Sequence, residues 1–302
     1  MEKNCKKNSK YIPASVDGIS PLKKVAAIHD LSCFGRCALT VIIPALSALG
    51  NQVVPLPTCL LSTHTGGFTD MYFRDLTDAM TDTADHFKKL DIKFDAIYTG
   101  FLGSVGQIEL VKDFIEKFAT EDTLVFVDPV MGDGGELYST YTQELMAGMS
   151  QLCTNAHVIT PNLTEACFLT GTEYRDTAVM SEAEFCEYTV MLADKLSATG
   201  AHKTVITGIH KGESRLCVCG KDNITNEFFS YDFDRVERNY PGTGDLFASV
   251  LLGGILKGRD FKSAVCFAAD YTGDVMKYSA CFDTPTREGV AFEGMLGRLC
   301  EE

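Results

Sequence analysis

The chain has 302 residues and a formal net charge of −14 at pH 7, and 45% of its residues are hydrophobic. It is long enough for one large α/β domain or two smaller ones. The acidic balance argues against a nucleic-acid-binding protein or a protein that docks on an anionic membrane, because both need basic patches. No apolar run approaches the roughly 18 residues of a membrane-spanning helix. The cysteines are spread through apolar segments, so we expect reduced thiols in a cytoplasmic protein.

The first residues differ in composition from the rest of the chain. Residues 1–22 are polar and rich in Lys, Asn and Ser, which predicts a flexible N-terminal extension. Residues 23–302 contain no internal repeat, no low-complexity core segment and no linker-like stretch. We therefore predict a single domain over residues 23–302.

The rest of the chain alternates between short apolar strands and helices. Strands are predicted at residues 25–28, 52–57, 94–99, 123–127, 157–160 and 203–207, with a hairpin at 214–220 and 226–232. Helices are predicted over residues 38–49, about 70–90 and 104–119, between 135 and 157, and from 162, 243, 260 and 286 onward. Residues 29–36 and 62–67 are predicted to be loops. This alternation predicts a mainly parallel sheet with helices on both faces, and chemistry at the carboxyl ends of the strands.

A glycine-rich loop leads into one of these helices. Gly242 and Gly244 leave no Cβ to obstruct a ligand, so the backbone N–H groups of residues 242–245 are predicted to be the unpaired donors of a new helix. Such donors and the helix dipole favour an anion such as phosphate. Asp245 lies inside this positive end, so we expect it to stay ionised. It suits a base for phosphoryl transfer to a hydroxyl group; the simpler alternative is a helix-capping carboxylate.

Two acidic residues follow predicted strands and are candidate metal ligands. Asp128 comes directly after the apolar residues 124–127, where an acid is unfavourable unless it faces a site or a metal. Glu165 lies in the first turn of the helix predicted after Asn162. Carboxylates are ligands that Mg²⁺ uses, often through water. The simpler alternatives are an Asp-Pro turn for Asp128 and helix capping for Glu165.

Three further loops carry polar or small residues at strand ends. His64 and Thr65 offer hydrogen bonds to a small polar substrate, although a single His in a loop is more often structural or solvated. Thr207 and Gly208 end a strand and leave room for a flat ring or a phosphate. The Gly-rich residues 132–135 are either a flap over the site or an ordinary surface loop. No Gly-x-x-x-x-Gly-Lys-Ser/Thr sequence occurs, which excludes a P-loop enzyme.

These segments, in this order, resemble the ribokinase-like small-molecule kinases. The resemblance rests on three motifs, which are Gly242-Thr243-Gly244-Asp245, Asp128-Pro129-Val130 and Thr160-Pro161-Asn162-Leu163-Thr164-Glu165. Within these kinases the chain is most similar to the pyridoxal/pyridoxamine kinase group, through residues 28–35, 62–66, 99–101 and 128–133. The resemblance covers about residues 23–295.

The resemblance implies a ribokinase-like three-layer α/β sandwich with a mainly parallel central sheet, and a homodimer. It also implies an enzyme that uses ATP to phosphorylate the 5′-hydroxymethyl group of a vitamin B6 vitamer, which is pyridoxal, pyridoxamine or pyridoxine. Mg²⁺ is the implied cofactor besides ATP, and a monovalent cation such as K⁺ is a further candidate. No nucleic-acid or membrane partner is implied.

The catalytic residues follow from the same resemblance. Asp245 matches the catalytic base, and Gly242-Thr243-Gly244 match the anion hole for the transferred phosphoryl group. Asp128 and Glu165 match acids that organise Mg²⁺ and its waters around ATP. Asn162 matches a neighbour in the phosphate region.

The remaining matched positions are implied to bind the two substrates. Thr207 and Gly208 match positions that line the nucleotide. His64 and Thr65 match the loop beside the pyridine ring. Phe101 matches a position near the substrate that is often aromatic.

The chain also departs from the group. Asp30 stands where many pyridoxal kinases carry a serine that contacts the substrate ring, and Arg36 and Cys37 depart nearby. A carboxylate there accepts from a phenolic hydroxyl, a pyridinium or an amine, which would favour pyridoxamine or another substituted pyridine. The alternative function is a hydroxymethylpyrimidine kinase of thiamine synthesis, which typically has Cys in place of Asp245. A non-catalytic ligand-binding protein is a second alternative, but it predicts loss of the base or the metal acids, all of which are present.

Overall fold

The structure, a computed structural model, describes residues 22–139, 141–154 and 156–301 of the chain. The predicted extension at residues 1–22 lies outside these ranges except for Leu22, so it stays a prediction. Within the described residues, no helix combines the length and the apolar composition that crossing a membrane requires. All the cysteines in these ranges have free thiols.

Most strands and helices follow the alternation that the sequence predicts. The helix predicted over about residues 70–90 begins only at Thr77, because the exposed residues Phe73–Asp75 form a strand, and the strand Cys59–Thr63 includes the first two residues of the loop predicted over 62–67. The strands of the described residues are β1 (Lys24–Ile28), β2 (Leu31–Phe34), β3 (Gln52–Pro55), β4 (Cys59–Thr63), β5 (Phe73–Asp75), β6 (Ala96–Thr99), β7 (Leu124–Val127), β8 (Gly132–Asp133), β9 (Glu136–Leu137), β10 (Val158–Ile159), β11 (Lys203–Lys211), β12 (Arg215–Asp222) and β13 (Glu227–Asp234). Their helices are α1 (Leu39–Ala48), α2 (Thr77–Lys89), α3 (Val105–Phe118), α4 (Gln143–Cys153), α5 (Leu163–Thr170), α6 (Glu182–Ser197), α7 (Thr243–Leu256), α8 (Phe261–Ser279) and α9 (Leu296–Cys300).

The central sheet is mainly parallel, as predicted. Eight of the described strands form it, in the order β13-β12-β11-β10-β7-β6-β1-β3. The strands from β3 to β11 in this order run parallel to their neighbours. The predicted hairpin, β12 and β13, adds two antiparallel strands at one edge. Parallel strands end at the same edge of a sheet, so the loops after β1, β6, β7 and β10 open on one side of the molecule.

A hydrophobic core covers each face of this sheet, and successive strand residues alternate between the two cores. Ala26 and Ile28 of β1 pack with residues of α2 to α6. Val25 and Ala27 of the same strand pack with residues of α1, α7, α8 and α9. This alternation is what a strand buried on both faces requires. The predicted three-layer α/β sandwich with helices on both faces is therefore confirmed.

A second, smaller sheet lies beside the central one. It has three strands in the order β2-β4-β5, with β2 parallel and β5 antiparallel to β4. Because β2 lies within residues 29–36, the prediction of a loop over that range is wrong. The apolar pattern does not reveal β2, since Cys33 and Phe34 are both exposed and leave no period-two alternation.

The C-terminal segment also differs from the prediction of a helix from residue 286. It forms two short 3-10 turns, Thr286–Glu288 and Glu293–Met295, before α9. Gly289 follows the first turn with a φ of 87°, and a Cβ there would lie 2.5 Å from the carbonyl oxygen of Arg36. The Arg36 N–H donates to the Glu288 carbonyl at 2.9 Å. The segment is thus folded onto the loop after β2 instead of continuing as a helix.

Candidate active site

The carboxyl ends of the parallel strands bring the predicted site residues to one edge of the sheet. Asp30 follows β1, Phe101 follows β6 and Asp128 follows β7. Asn162 follows β10, and Thr207 lies in β11. Ligands of open α/β sheets bind in the crevice outside this edge, so the topology places these residues where a site is expected.

Helix α7 begins at the glycine-rich loop. Gly242 directly precedes the helix with a φ of 80°, a left-handed conformation that favours glycine. Hydrogen bonding within the helix starts with the Leu246 N–H, which donates to the Gly242 carbonyl at 3.0 Å. The N–H groups of residues 243–245 therefore have no acceptor within the helix and carry the positive end of its dipole. Gly244 is exposed, and a Cβ there would meet nothing within 4 Å, so this turn is open to a ligand.

Neighbouring backbone holds this loop in place. A Cβ at Gly242 would lie 2.2 Å from the carbonyl oxygen of Arg36. The Thr243 hydroxyl donates to the Tyr240 carbonyl at 3.1 Å. The loop that carries the free N–H groups is therefore packed directly against the loop after β2, and only glycine fits at the contact.

Asp245 is partly buried, and one of its carboxylate oxygens accepts two hydrogen bonds. The Ala38 N–H donates to Oδ2 at 2.8 Å, and the Cys37 thiol donates to the same oxygen at 3.6 Å. Burial raises the pKa of Asp245, whereas these two donors and the nearby His64 favour its charged form. The sequence-based expectation that Asp245 stays ionised rests on the helix dipole and the N–H donors, so burial is an opposing effect that the structure adds.

Asp30 is buried and lies close enough to Asp245 for the two charges to interact. The residue is 7% exposed, and its Oδ2 accepts a hydrogen bond from the Ser32 hydroxyl at 2.8 Å. Burial raises the pKa of Asp30 to about 7, opposed by the Ser32 hydrogen bond and reinforced by the charge of Asp245. Strongly perturbed pKa values concentrate at functional sites, which is consistent with a role for Asp30 in this one.

Asp128 and Glu165 form a buried acidic pair. Burial raises the pKa of Asp128 to about 8, and the charge of Asp245 adds to the increase while Thr160 opposes it. Burial, and then the charge of Asp128, raise the pKa of Glu165 well above its usual value. Within the described ranges, no three or more His, Cys, Asp or Glu side chains cluster in a way that could hold a metal ion. A divalent cation at this pair would therefore need water or phosphate oxygens as its other ligands.

Glu165 and Asn162 also form the capping box that begins α5. Asn162 Oδ1 accepts from the Glu165 N–H at 2.9 Å, and Glu165 Oε2 accepts from the Asn162 N–H at 2.8 Å. Glu165 Oε1 accepts from the Met131 N–H at 2.9 Å, and Asn162 Nδ2 donates to the Gly132 carbonyl at 2.8 Å. Glu165 therefore does cap α5, as the simpler alternative predicts. A contact of Glu165 with a metal would have to use the carboxylate lone pairs that these hydrogen bonds leave free.

Gly132 and Gly135 belong to the hairpin of β8 and β9, which this helix start anchors. Besides the two contacts above, the Gly135 N–H donates to the Thr164 hydroxyl at 2.9 Å. A Cβ at Gly132 would lie 2.2 Å from the Glu136 carbonyl oxygen. The Gly-rich loop is thus a hairpin tied to α5 and not an irregular surface loop.

Thr207 and Gly208 lie where β11 bulges away from its neighbour. The register between β11 and β12 shifts at these two residues, so they leave the hydrogen-bonded ladder. Gly208 is exposed with a φ of 67°, and the Thr207 N–H donates to the Pro161 carbonyl at 3.0 Å. The bulge therefore stands directly beside the start of α5 and Asn162. A contact of these residues with a nucleotide stays a prediction.

His64 has both ring nitrogens engaged by the main chain. The Gly66 N–H donates to Nδ1 at 3.1 Å, and Nε2 lies 2.7 Å from the Arg287 carbonyl oxygen. Because Nδ1 accepts, Nε2 carries the hydrogen and donates. His64 is 5% exposed, so in this conformation its nitrogens are not available for the predicted hydrogen bond to a substrate. Thr65, which is exposed beside it, is the residue of this loop that remains free to make such a contact.

Phe101 is partly buried at the end of β6. Its ring packs edge to face against Tyr141, with the ring centroids 6.3 Å apart, and its carbonyl accepts from the Thr58 hydroxyl at 3.1 Å. These contacts fix the ring at the carboxyl edge of the sheet. Its proximity to a bound substrate stays a prediction.

Ala38 and Cys37 contact Asp245 directly, and sequence reasoning assigned neither of them to the site. Ala38 adopts φ 49° and ψ −129°, a conformation that is unfavourable for a residue with a Cβ. Nothing in the residue type signals this conformation, because glycine is the residue that usually occupies it. The one available hint was that Arg36 and Cys37, directly before Ala38, depart from the pattern of the pyridoxal kinase group.

The chain is similar in sequence to a known protein family and to a named relative. The sequence profile of the phosphomethylpyrimidine kinase family matches residues 43–286. The chain is 28% identical over 262 residues to the pyridoxal kinase of Dictyostelium discoideum, and the match covers 80% of this chain and 82% of that protein. The family match includes the strands from β3 to β13 and the helices from α2 to α8.

Two solved structures are similar over most of their length. A Bacteroides thetaiotaomicron protein, provisionally named a phosphomethylpyrimidine kinase and crystallised with pyridoxal, has a TM-score of 0.84 at 40% identity, covering 92% of this chain and 96% of that one. The pyridoxal kinase of Lactobacillus plantarum has a TM-score of 0.83 at 30% identity, covering 93% of this chain and 98% of that one. The chain therefore belongs to the phosphomethylpyrimidine kinase family and, within the ribokinase-like kinases, to the pyridoxal kinase group.

Proposed function

We propose that this protein is an ATP-dependent kinase that phosphorylates the 5′-hydroxymethyl group of a vitamin B6 vitamer, for salvage of pyridoxal 5′-phosphate. The observation that carries this proposal is the Asp245 carboxylate in the first turn of α7, where a base and an anion-binding loop share one helix start. Similar proteins are named pyridoxal kinases, and one similar structure contains pyridoxal. The function thus rests on the site geometry and the family together.

Each part of the helix start has a task in this reaction. The hydroxyl oxygen of the vitamer attacks the γ-phosphorus of ATP, the bond between that phosphorus and the bridging oxygen breaks so that ADP leaves, and Asp245 takes the hydroxyl proton as the new bond forms. The N–H groups of residues 243–245 stabilise the charge on the transferred phosphoryl group, and the α7 dipole acts in the same direction. Gly242 and Gly244 let the phosphoryl group approach the backbone closely.

Mg²⁺ is proposed to bind with ATP beside Asp128 and Glu165. Burial and neighbouring carboxylates raise the pKa of both residues, and a divalent cation would offset this repulsion, so the residues suit the ion. Asp128 would hold the ion or its waters. Glu165, whose oxygens already accept main-chain N–H groups, would act through water. When bound, the ion neutralises charge on the β- and γ-phosphates.

Asp128→Ala should raise the Mg²⁺ concentration needed for half-maximal velocity by about 10–100-fold, the usual effect of losing a group that orients a metal or its ligands. Initial velocities across a Mg²⁺ titration at saturating ATP and pyridoxal measure this. Asp133→Ala is the matched control, because Asp133 is an exposed acid in the adjacent hairpin. An unchanged Mg²⁺ requirement in folded Asp128→Ala protein would remove Asp128 from the metal site.

Asp30 is proposed to contact the substrate ring. It is buried at the end of β1, and its charge interacts with that of the proposed base, Asp245. Oδ2 accepts from the Ser32 hydroxyl, and we assign Oδ1 to a donor on the substrate. Since the pKa of Asp30 is about 7, the residue gains its charge as the pH rises through neutrality.

Asp30→Ser should lower kcat/KM for pyridoxamine relative to pyridoxal by about tenfold, since a hydrogen bond to a charged group contributes on this order. In the wild-type protein, the preference for pyridoxamine should increase as the pH rises through about 7, because Asp30 loses its proton there. The variant should lack this pH dependence, and its KM for ATP should stay at the wild-type value. If the ratio of kcat/KM for pyridoxamine to kcat/KM for pyridoxal is the same in the variant and the wild type, and only the stability of the variant falls, then Asp30 is a structural residue.

A hydroxymethylpyrimidine kinase of thiamine synthesis is the second candidate, and the name of the matching family favours it. Asp245 argues against it, since those kinases typically carry Cys after Gly-Thr-Gly. Measuring kcat/KM for each B6 vitamer and for hydroxymethylpyrimidine in separate reactions tests the proposal. We expect the highest value for a B6 vitamer; a higher value for hydroxymethylpyrimidine would favour the second candidate, and no turnover at all would favour a ligand-binding protein.

We also propose that the protein is a cytoplasmic homodimer that a monovalent cation such as K⁺ stimulates. The resemblance to pyridoxal kinases, which are usually homodimers, supports the dimer. The free thiols of the described cysteines support a reducing compartment. Light scattering after gel filtration should give twice the mass of one chain. Replacement of K⁺ by a bulky organic cation should lower the initial velocity of the kinase reaction.

A further inference from the structure

The turn formed by residues 36–38 holds Asp245 through hydrogen bonds that the reaction described above leaves unused. The Ala38 N–H and the Cys37 thiol both donate to Oδ2 of Asp245, at 2.8 and 3.6 Å. Resting on the proposed kinase function, we propose that this turn orients Asp245 so that Oδ1 receives the hydroxyl proton. Cys37 is then a positioning residue, which acts on the reaction through Asp245.

The turn is well placed to do this because both of its sides are fixed. The Arg36 N–H donates to the Glu288 carbonyl at 2.9 Å, and the Arg36 guanidinium pairs with Glu293 at 2.5 Å. Glycines lie against the Arg36 carbonyl oxygen on both sides: a Cβ at Gly242 would lie 2.2 Å from it, and one at Gly289 2.5 Å. The glycine-rich loop before α7, here called the phosphate loop, and the C-terminal segment therefore enclose the turn.

Backbone strain at Ala38 points to the same task. Its φ of 49° and ψ of −129° are unfavourable for a residue with a Cβ, and such conformations persist where the surrounding structure imposes them. In this conformation the Ala38 N–H points at Asp245, and Ala38 directly precedes α1. The positive ends of α1 and α7 thus meet at the Asp245 carboxylate, and both favour its charged form.

Cys37 acts here as a thiol donor and not as a nucleophile. Burial, and then the charges of Asp245 and Asp30, raise its pKa well above the usual value. The S–H group therefore stays protonated over the pH range in which a kinase works, and it can donate to a carboxylate throughout. The charged and titratable groups around it are Asp245 and Asp30, with His64 bearing on Asp245.

The kcat–pH profile tests the proposal. Cys37→Ala removes a hydrogen-bond donor to the charged form of Asp245 and therefore raises the pKa of that carboxyl group. The acidic limb of the kcat–pH profile of the variant should move to higher pH by about 0.5–1 unit. Cys37→Ser restores a donor and should return the limb to the wild-type position or below it, and neither variant should change KM for ATP. Cys33→Ala, which removes an exposed thiol of β2, is the matched control and should leave the profile unchanged. A lower kcat with an unmoved limb in Cys37→Ala would overturn the proposal.

Alkylation of Cys37 provides a measurement that does not depend on kinase activity. Its rate with iodoacetamide, followed by mass spectrometry of the peptide that contains it, should rise in Asp245→Asn, because loss of the neighbouring charge lowers the pKa of the thiol. An unchanged rate would contradict the contact between Cys37 and Asp245. If the wild type phosphorylates no vitamer while the rate rises as expected, the kinase function fails and the contact itself is supported.

Discussion

Asp245→Asn should lower kcat by about 10²–10⁴-fold, because it removes the basic group that accepts the hydroxyl proton. The variant keeps the shape of the side chain, and its amide oxygen can still accept the Ala38 N–H that Asp245 accepts at 2.8 Å. We therefore expect a folded protein that binds ATP and pyridoxal, with the loss confined to the chemical step. Single-turnover measurements with preformed enzyme–ATP complex record that step directly.

Asp260→Asn is the matched control for this variant. Asp260 caps α8, where it accepts the Ser263 N–H at 3.0 Å, and it has no proposed part in the reaction. If helix capping were the whole task of Asp245, both substitutions would have similarly small effects on turnover. Near-wild-type single-turnover rates in Asp245→Asn, or a variant that simply unfolds, would leave capping as the explanation.

Gly242→Ala should lower kcat/KM by about 10²-fold, the usual effect of moving reacting groups by about 1 Å. A Cβ at Gly242 would lie 2.2 Å from the Arg36 carbonyl oxygen, and the residue has a φ of 80°. The added methyl group must push the phosphate loop and the residue 36–38 turn apart. Both the N–H groups of residues 243–245 and the donors to Asp245 would then be misplaced. Steady-state kinetics with pyridoxal and ATP measure the loss.

Gly258→Ala separates this displacement from ordinary backbone strain. Gly258 follows α7 with a φ of 89°, and a Cβ there would meet nothing within 4 Å. Both variants should lose about 1–2 kcal/mol of stability from the left-handed conformation. Only Gly242→Ala should lose activity, and equal kcat/KM values in the two variants would show that the packing of the phosphate loop is not needed for turnover.

The middle of the central sheet was predictable because strands such as β7 are apolar without interruption. Residues 124–127 lie between two helical layers and are covered on both faces. Such a strand can be recognised from its own run of apolar residues, without knowledge of the strands beside it. The small sheet was not predictable in the same way. β2 is four residues long with Cys33 and Phe34 exposed, so its pairing with β4 depends on contacts that no local pattern records.

The site was predictable in residue types and less so in geometry. The acids Asp30, Asp128 and Asp245 follow strands or begin a helix, which is visible along the chain. Their burial, which raises the pKa of each of them, comes from the packing of distant segments. The Ala38 N–H that contacts Asp245 depends on a backbone conformation that its residue type disfavours, so only the structure reveals it.

A competition between acceptors in one reaction tests the proposed chemistry most directly. Equal concentrations of pyridoxal, pyridoxamine, pyridoxine and hydroxymethylpyrimidine would be incubated with γ-labelled ATP, Mg²⁺ and the protein, and the labelled products identified by mass spectrometry. We expect the label in the 5′-phosphates of the B6 vitamers, and almost none with Asp245→Asn. Label found chiefly in hydroxymethylpyrimidine phosphate, or equal labelling by the wild type and Asp245→Asn, would contradict a B6 vitamer kinase that uses Asp245 as its base.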